Sequence, residues 1–306
     1  MRILLVPLVI ALVTVTATAA FAHPGTMVSA HPEGVESSLK VVASIFPLAS
    51  IVQEIVGDKL TVTTIVPSGA DPHHFELTPS SARAIHEADV VFMVGGHFDE
   101  WVLGPDIGGK SRPRFVKFSE ILRDSLIPLG ESFNPHLWLD PLLAKKMAGV
   151  VDTILIGMES PNSDYFHARA QAFCSKIDSL HESTLSRLKQ SGFTVFVSLH
   201  PAWSYFARRY GLNEIDTIEM SHDQEPSVKH IAAVIAKMRK TGTRFILAEE
   251  FTNKGLADAV ASQTGAEVIL LDPMGGSDRP GRDSYLSLIE YNVSLMARAA
   301  TGTTGD

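Results

Sequence analysis

Cysteine is nearly absent: Cys174 is the only one in 306 residues. A lone thiol forms no internal disulfide and supplies neither a thiolate metal cage nor a Cys-x-x-Cys redox pair. The fold must therefore rest on an apolar core or on a bound ligand, and Cys174 reads as a small packing residue in a helical pattern. An excess of positive charge is missing as well. Lys and Arg number 26 against 34 Asp and Glu, giving a net charge of -8. That balance argues against a nucleic-acid partner, because phosphate contacts need a basic face. The apolar run Ile3 to Val15 is too short for a comfortable membrane span. It follows Arg2 and precedes Ala20-Phe21-Ala22, the order of a secretory signal, so residues 1–22 are expected to be cleaved off after Ala22. An uncleaved N-terminal anchor is the competing reading. No cysteine follows the apolar run, so no lipid attachment is expected.

What is present is a globular composition, 45% apolar and 20% charged, enough to bury a real core. Residues 23–38, rich in Gly, Pro, Ser and His, read as a flexible leader. Beyond them apolar runs alternate with helical patterns. Strands are expected at "VVASIF" (41–46), "TVTTIV" (61–66), "VVFMV" (90–94) and "RFVKF" (114–118). Leu48, Ile51, Val52 and Ile55 fall at helical spacing before Gly57, and Thr78-Pro79 caps and starts a helix that runs to about Ala88. Asp140 before Pro141 reads as the cap of another helix, reaching about Met158. From Asp164 to Gln190 there is neither Gly nor Pro, a stretch of roughly 40 Å if helical at about 1.5 Å per residue. Alternation then resumes, with strands at 193–199, 244–248 and 267–271 and helical patterns between and after them. Strands alternating with helices imply parallel sheets covered on both faces. The expected fold is α/β. A lobe at 39–160 and a lobe at 192–303 are joined by one long helix at 161–191.

Polar residues fall at the strand ends. His73 follows the second strand, His200 follows "FTVFVSL", Glu249 and Glu250 follow "RFILA", and Asp272 follows "EVILL". In open parallel sheets ligands bind outside these carboxyl ends. His136, in "NPHLWLDP", lies in a loop before a helix. Three histidines and a carboxylate suit a borderline divalent metal: imidazole favours zinc, and carboxylate also serves manganese and iron. The spacing is not that of a compact zinc motif, so polar loops remain the alternative on spacing alone. Trp138 is expected to pack beside His136. Glu250 reads equally as a carboxylate orienting a histidine ligand and as a surface residue.

"DPHHFELTPS", "NPHLWLDP", "SLHPAWSYFARRYGL", "DQEPS" and "LDPMGG" occur in the order found in the metal-binding proteins of zinc and manganese ABC importers. From about residue 38 to 300 the chain resembles that solute-binding family. The resemblance implies two α/β lobes on a rigid long helix, with a metal site in the cleft between them. It implies a ligand set of His73, His136, His200 and Asp272, with His74 a neighbour; His97, after Gly95-Gly96 at a strand end, reads as a hydrogen-bonded loop residue, with a cleft-facing one the alternative. It further implies an exported, periplasmic, monomeric, non-enzymatic protein that captures Zn2+ and hands it to an ABC importer permease. Histidine in the third position resembles the zinc-specific members. The His/Asp/Glu-rich loop of many zinc members is missing, for residues 97–133 hold a single histidine, His97. A manganese- or iron-binding (Mn2+, Fe2+) member, or a metal-linked adhesin, is the alternative. A zinc hydrolase is the competing class from outside the family, and the chain has no HExxH motif.

Overall fold

The computed structural model describes residues 39–104, 113–158, 160–219 and 225–302; the expected signal and leader at 1–38 lie outside them. The first half runs β1 (Val41–Ala43), α1 (Phe46–Val56), β2 (Val62–Thr64), α2 (Pro79–Glu87), β3 (Val90–Met93), β4 (Arg114–Lys117) and α3 (Phe118–Ile121). A two-stranded hairpin, β5 (Pro128–Leu129) and β6 (Ser132–Phe133), then leads to α4 (Pro141–Gly157) and α5 (Ser163–Ser191). The second half is β7 (Val195–Ser198), α6 (Ser204–Tyr210), β8 (Asn213–Thr217), α7 (Val228–Thr241), β9 (Phe245–Glu249), α8 (Gly255–Thr264), β10 (Glu267–Leu271) and α9 (Tyr285–Thr301). Two four-stranded parallel sheets result, ordered β2-β1-β3-β4 and β10-β9-β7-β8. This is the two-lobed α/β architecture read from the alternation of runs.

Local chemistry sets the element ends. The Asp140 carboxylate accepts the backbone N–H of Leu142 and Leu143 with Pro141 behind it, a capped start for α4. Thr78 caps α2 in the same way. The helix α5 spans 29 residues, about 43 Å at about 1.5 Å per residue. Its buried positions are Phe166, Ala170, Phe173, Ile177, Leu180, Thr184 and Leu188, steps of three and four that keep one stripe inward. It packs on α1 and α4 of the first half and on α9 of the second. One buried cluster therefore runs from Val41 and Phe92 through Trp138 and Phe173 to Phe196, Leu247 and Leu271. The outer face of the second sheet has its own core, where Val197, Leu199, Ile246 and Ala248 meet Val234 and Met238 of α7 and Ala257 and Val260 of α8.

The labelled elements absent from the sequence reading are α3, β8, α6 and the β5-β6 hairpin. β8 is an edge strand of mixed polarity, Asn213-Glu214-Ile215-Asp216-Thr217, so it carries no continuous apolar run. α6 is only seven residues long.

Candidate metal centre

The two histidines of the "DPHHFE" turn are held apart by Asp71. Its Oδ1 accepts the backbone N–H of His73 at 2.9 Å, and its Oδ2 pairs with Nδ1 of His74 at 2.8 Å. His74 is thus held at the half-exposed rim, while His73 turns inward to pack edge-on against Phe98 at 4.9 Å. Phe98 is placed by the residue after it. Asp99 is fully buried and accepts the N–H groups of Val94 and Gly95, each at 2.7 Å, fixing the loop that follows β3. Burial pushes the Asp99 carboxyl above the usual carboxylate range. In the same loop Gly96 has a φ of 65°, and a Cβ there would collide with the Phe133 ring. His97 itself adopts a left-handed φ of 69° and pairs with Glu100 at the exposed surface.

His136 enters from the loop before α4, and Asn134 fixes its ring. The amide oxygen of Asn134 accepts the His136 backbone N–H at 3.0 Å and lies 2.9 Å from Nδ1. A carbonyl facing Nδ1 holds the proton there and leaves the Nε2 lone pair for a metal. Asn134 also reaches across the lobes: its amide donates to the Pro201 carbonyl, and its own carbonyl accepts the Tyr205 hydroxyl. Pro201 directly follows His200, so one side chain sets two of the histidine loops relative to each other. Trp138 is fully buried beside His136, ring centroids 5.1 Å apart, and donates its indole N–H to the Pro273 carbonyl. Asn134 was not singled out from the sequence. The available signal was a side chain two residues before a candidate ligand, at the spacing of a local hydrogen-bonded turn.

His73, His136 and His200 converge. Each offers a ring nitrogen, and these atoms all lie within 4.8 Å of one another. Ring centroids are separated by 5.3, 5.2 and 5.0 Å. Nε2 of His73 and Nε2 of His136 are 3.3 Å apart. A tetrahedral zinc with nitrogen at about 2.0–2.1 Å requires a nitrogen separation of about 3.3 Å, so this pair is already spaced for one ion. His136 and His200 are buried and His73 is partly so.

Among the described residues this group contains the three histidines and no carboxylate. Asp272 lies at the end of β10, buried, and is engaged on both oxygens. Oδ1 accepts the N–H groups of Met274 and Gly275 at 2.9 and 2.8 Å, and Oδ2 meets Arg282 at 3.0 Å and Arg279 at 3.5 Å. Glu250 does not approach a histidine; it pairs with the same two arginines. Its neighbour Glu249 is 1% exposed, and neither carboxyl oxygen has a hydrogen-bond partner. Burial, with the nearby charges of Glu219, Glu214 and Asp71, pushes the Glu249 carboxyl up to about 8.

Residues 41–299 match the family model of the periplasmic component A of the zinc-uptake complex, ZnuA. The high-affinity zinc uptake system protein ZnuA of Bacillus subtilis is 26% identical over 295 residues, 91% of this chain and 92% of that protein. The manganese-binding lipoprotein MntA of Halalkalibacterium halodurans is 26% identical over 266 residues, 84% of this chain and 87% of that one. Among solved structures, the laminin binding protein Lmb of Streptococcus agalactiae, described as bifunctional in adhesion and metal transport, aligns with a TM-score of 0.76. It is 28% identical, covering 86% of this chain and 99% of that one. A crystal structure of ZnuA aligns with the same TM-score at 25% identity, covering 86% and 99%.

Proposed function

Because the chain belongs to the family of the periplasmic component A of zinc-uptake complexes, we propose that it captures a zinc ion at His73, His136 and His200 and delivers it to the permease of an ABC importer. The observation that carries this reading is the convergence of three imidazoles from three separate loops, two of their nitrogens spaced for one tetrahedral ion. Binding followed by release, rather than hydrolysis, accords with the zinc-uptake family model that residues 41–299 match and with the lack of an HExxH motif in the sequence. The same reading places an exported monomer outside the cytoplasm. It takes 1–22 as the signal, 23–38 as the leader, 39–160 and 192–303 as the lobes and 161–191 as the linking helix. Among the described residues no helix is long and apolar enough to cross a membrane.

A direct test is competition titration of purified protein with zinc at two pH values. Each imidazole must be neutral to bind, and its ordinary pKa is about 6.5. Three such ligands make the loss on acidification steep. Zinc affinity is expected to drop by more than about tenfold between about pH 7.5 and about pH 5. Equal affinity at both would count against a three-histidine site.

Choice of metal is tested at His200. Zinc accepts nitrogen ligands in a tetrahedral site, whereas manganese prefers more oxygens and a higher coordination number. His200→Glu is expected to weaken zinc binding more than manganese binding, shifting the ratio without necessarily reversing it, because the intrinsic order still favours zinc. A zinc-to-manganese ratio identical in both proteins would show that His200 does not select, and would favour manganese or iron as the cargo.

A further inference from the structure

By chain position His136 belongs to the first lobe, yet the segment that carries it is fastened to the second. Arg208 donates to the Ser125 carbonyl at 2.6 Å, and Arg209 binds Asp140. Trp138 donates to the Pro273 carbonyl, while its own carbonyl accepts the Tyr285 hydroxyl at 2.7 Å. Tyr205 of α6 joins the same seam. Its ring is fully buried, and its hydroxyl stands at the base of the β5-β6 hairpin.

The hairpin pairs Pro128 with Phe133 and Leu129 with Ser132. One step further out, Ile127 and Asn134 face each other. Along an antiparallel ladder, pairs that exchange two N–H···O bonds alternate with pairs that exchange none. Pro128, which has no N–H, sits where none is needed, so Ile127 and Asn134 are due both bonds. One is made directly: the Asn134 N–H donates to the Ile127 carbonyl at 2.8 Å. The other is routed through Tyr205. The Ile127 N–H donates to the Tyr205 hydroxyl at 3.0 Å, and that hydroxyl donates to the Asn134 carbonyl at 2.8 Å. The phenol oxygen is thus a wedge in the hairpin base, holding the Asn134 main chain away from Ile127. From that main chain the Asn134 side chain reaches Nδ1 of His136 at 2.9 Å and the carbonyl of Pro201, the residue after His200.

On the reading that three histidines hold zinc, we propose that Tyr205 is a positioning residue of the site. It acts through Asn134. The wedge sets where Asn134 stands, and Asn134 sets the orientation of His136 and its distance from the His200 loop. Loss of the hydroxyl alone leaves no orphan in the hairpin, because the freed Ile127 N–H and Asn134 carbonyl can bond to each other. The fold then survives, and what moves is Asn134.

The test compares wild type, Tyr205→Phe and Tyr210→Phe in three measurements: thermal unfolding of the metal-free protein, zinc affinity by competition, and the visible ligand-field spectrum of the Co2+ form. Tyr210 is the matched control on the same helix, for its hydroxyl lies 3.2 Å from Nδ1 of His181 on α5. Tyr205→Phe is expected to melt within about 4 °C of wild type and to show a displaced cobalt band. Its zinc affinity should fall about tenfold, the low end for losing a partner that lies outside the ligands. Tyr210→Phe is expected to melt in the same range with wild-type affinity and spectrum. The proposal is overturned if Tyr205→Phe keeps the wild-type affinity and spectrum while the wild type binds. Equal displacement of the band by both variants also overturns it, since that would report a general loosening of α6. So does a Tyr205→Phe that fails to fold or melts far lower, which would make the hydroxyl structural. Should the wild type itself take up neither metal, the three-histidine reading falls, and Tyr205 loses its role with it.

Discussion

His136→Ala is expected to remove tight zinc binding, a loss beyond the roughly 10–100-fold that follows when only an outer partner of a ligand is lost. His136 is the best prepared of the three donors: it is buried, its Nδ1 faces the Asn134 amide oxygen, and its Nε2 already stands 3.3 Å from Nε2 of His73. Alanine leaves a vacancy that only water can fill. His73→Ala should be comparably damaging. His74→Ala should change zinc affinity little, because the His74 ring is tied to Asp71 at the rim. Competition titration of the three variants decides the matter. Greater damage from His74→Ala than from His73→Ala would assign the ligand to the wrong member of the pair.

Arg209→Ala is expected to destabilise the metal-free protein by about 3 kcal/mol. Asp140 is fully buried, and Arg209 binds it through two hydrogen bonds, Nε to Oδ1 at 2.7 Å and Nη2 to Oδ2 at 2.8 Å. Removing one partner of a buried ion pair costs about 3–5 kcal/mol. The lower end applies because the guanidinium is 30% exposed and partly screened by water. Asp140 caps α4 and Arg209 lies on α6, so the pair also ties the two lobes together. Adding Asp140→Asn to Arg209→Ala should recover part of the loss, since asparagine still caps the helix but leaves no unpaired charge. Urea unfolding of both variants measures this. A change within about 0.5 kcal/mol for Arg209→Ala would class the pair with ordinary surface bridges.

Much of this architecture was legible because apolar runs and their breaks report parallel strands and helices directly. The cap at Asp140 and the unbroken stretch that became α5 were visible in the same way. The carboxyl-end rule pointed to His200 from its place after "FTVFVSL". Choosing His73 over His74 needed the family resemblance, because adjacent histidines look alike to any periodicity. The physical discriminator is the two-pronged Asp71 carboxylate, which only the folded turn reveals. At Glu249-Glu250 the strand end left open whether Glu250 orients a histidine or sits at the surface, and in the fold it pairs with Arg279 and Arg282. Alternation counted from Leu247 would have placed Glu249 inward, while the arginines that hold Glu250 outside lie about thirty residues further along the chain. β8 escaped because an edge strand with one polar face needs no apolar run.

The three converging histidines come from turns far apart in the chain, and Asn134 joins two of those turns only when the lobes have docked. A nascent or unfolded chain therefore lacks the assembled trio. In small zinc domains the metal nucleates the fold; here the order of maturation is reversed. An ion held by this trio would be taken up after folding, and its occupancy would count correctly completed molecules.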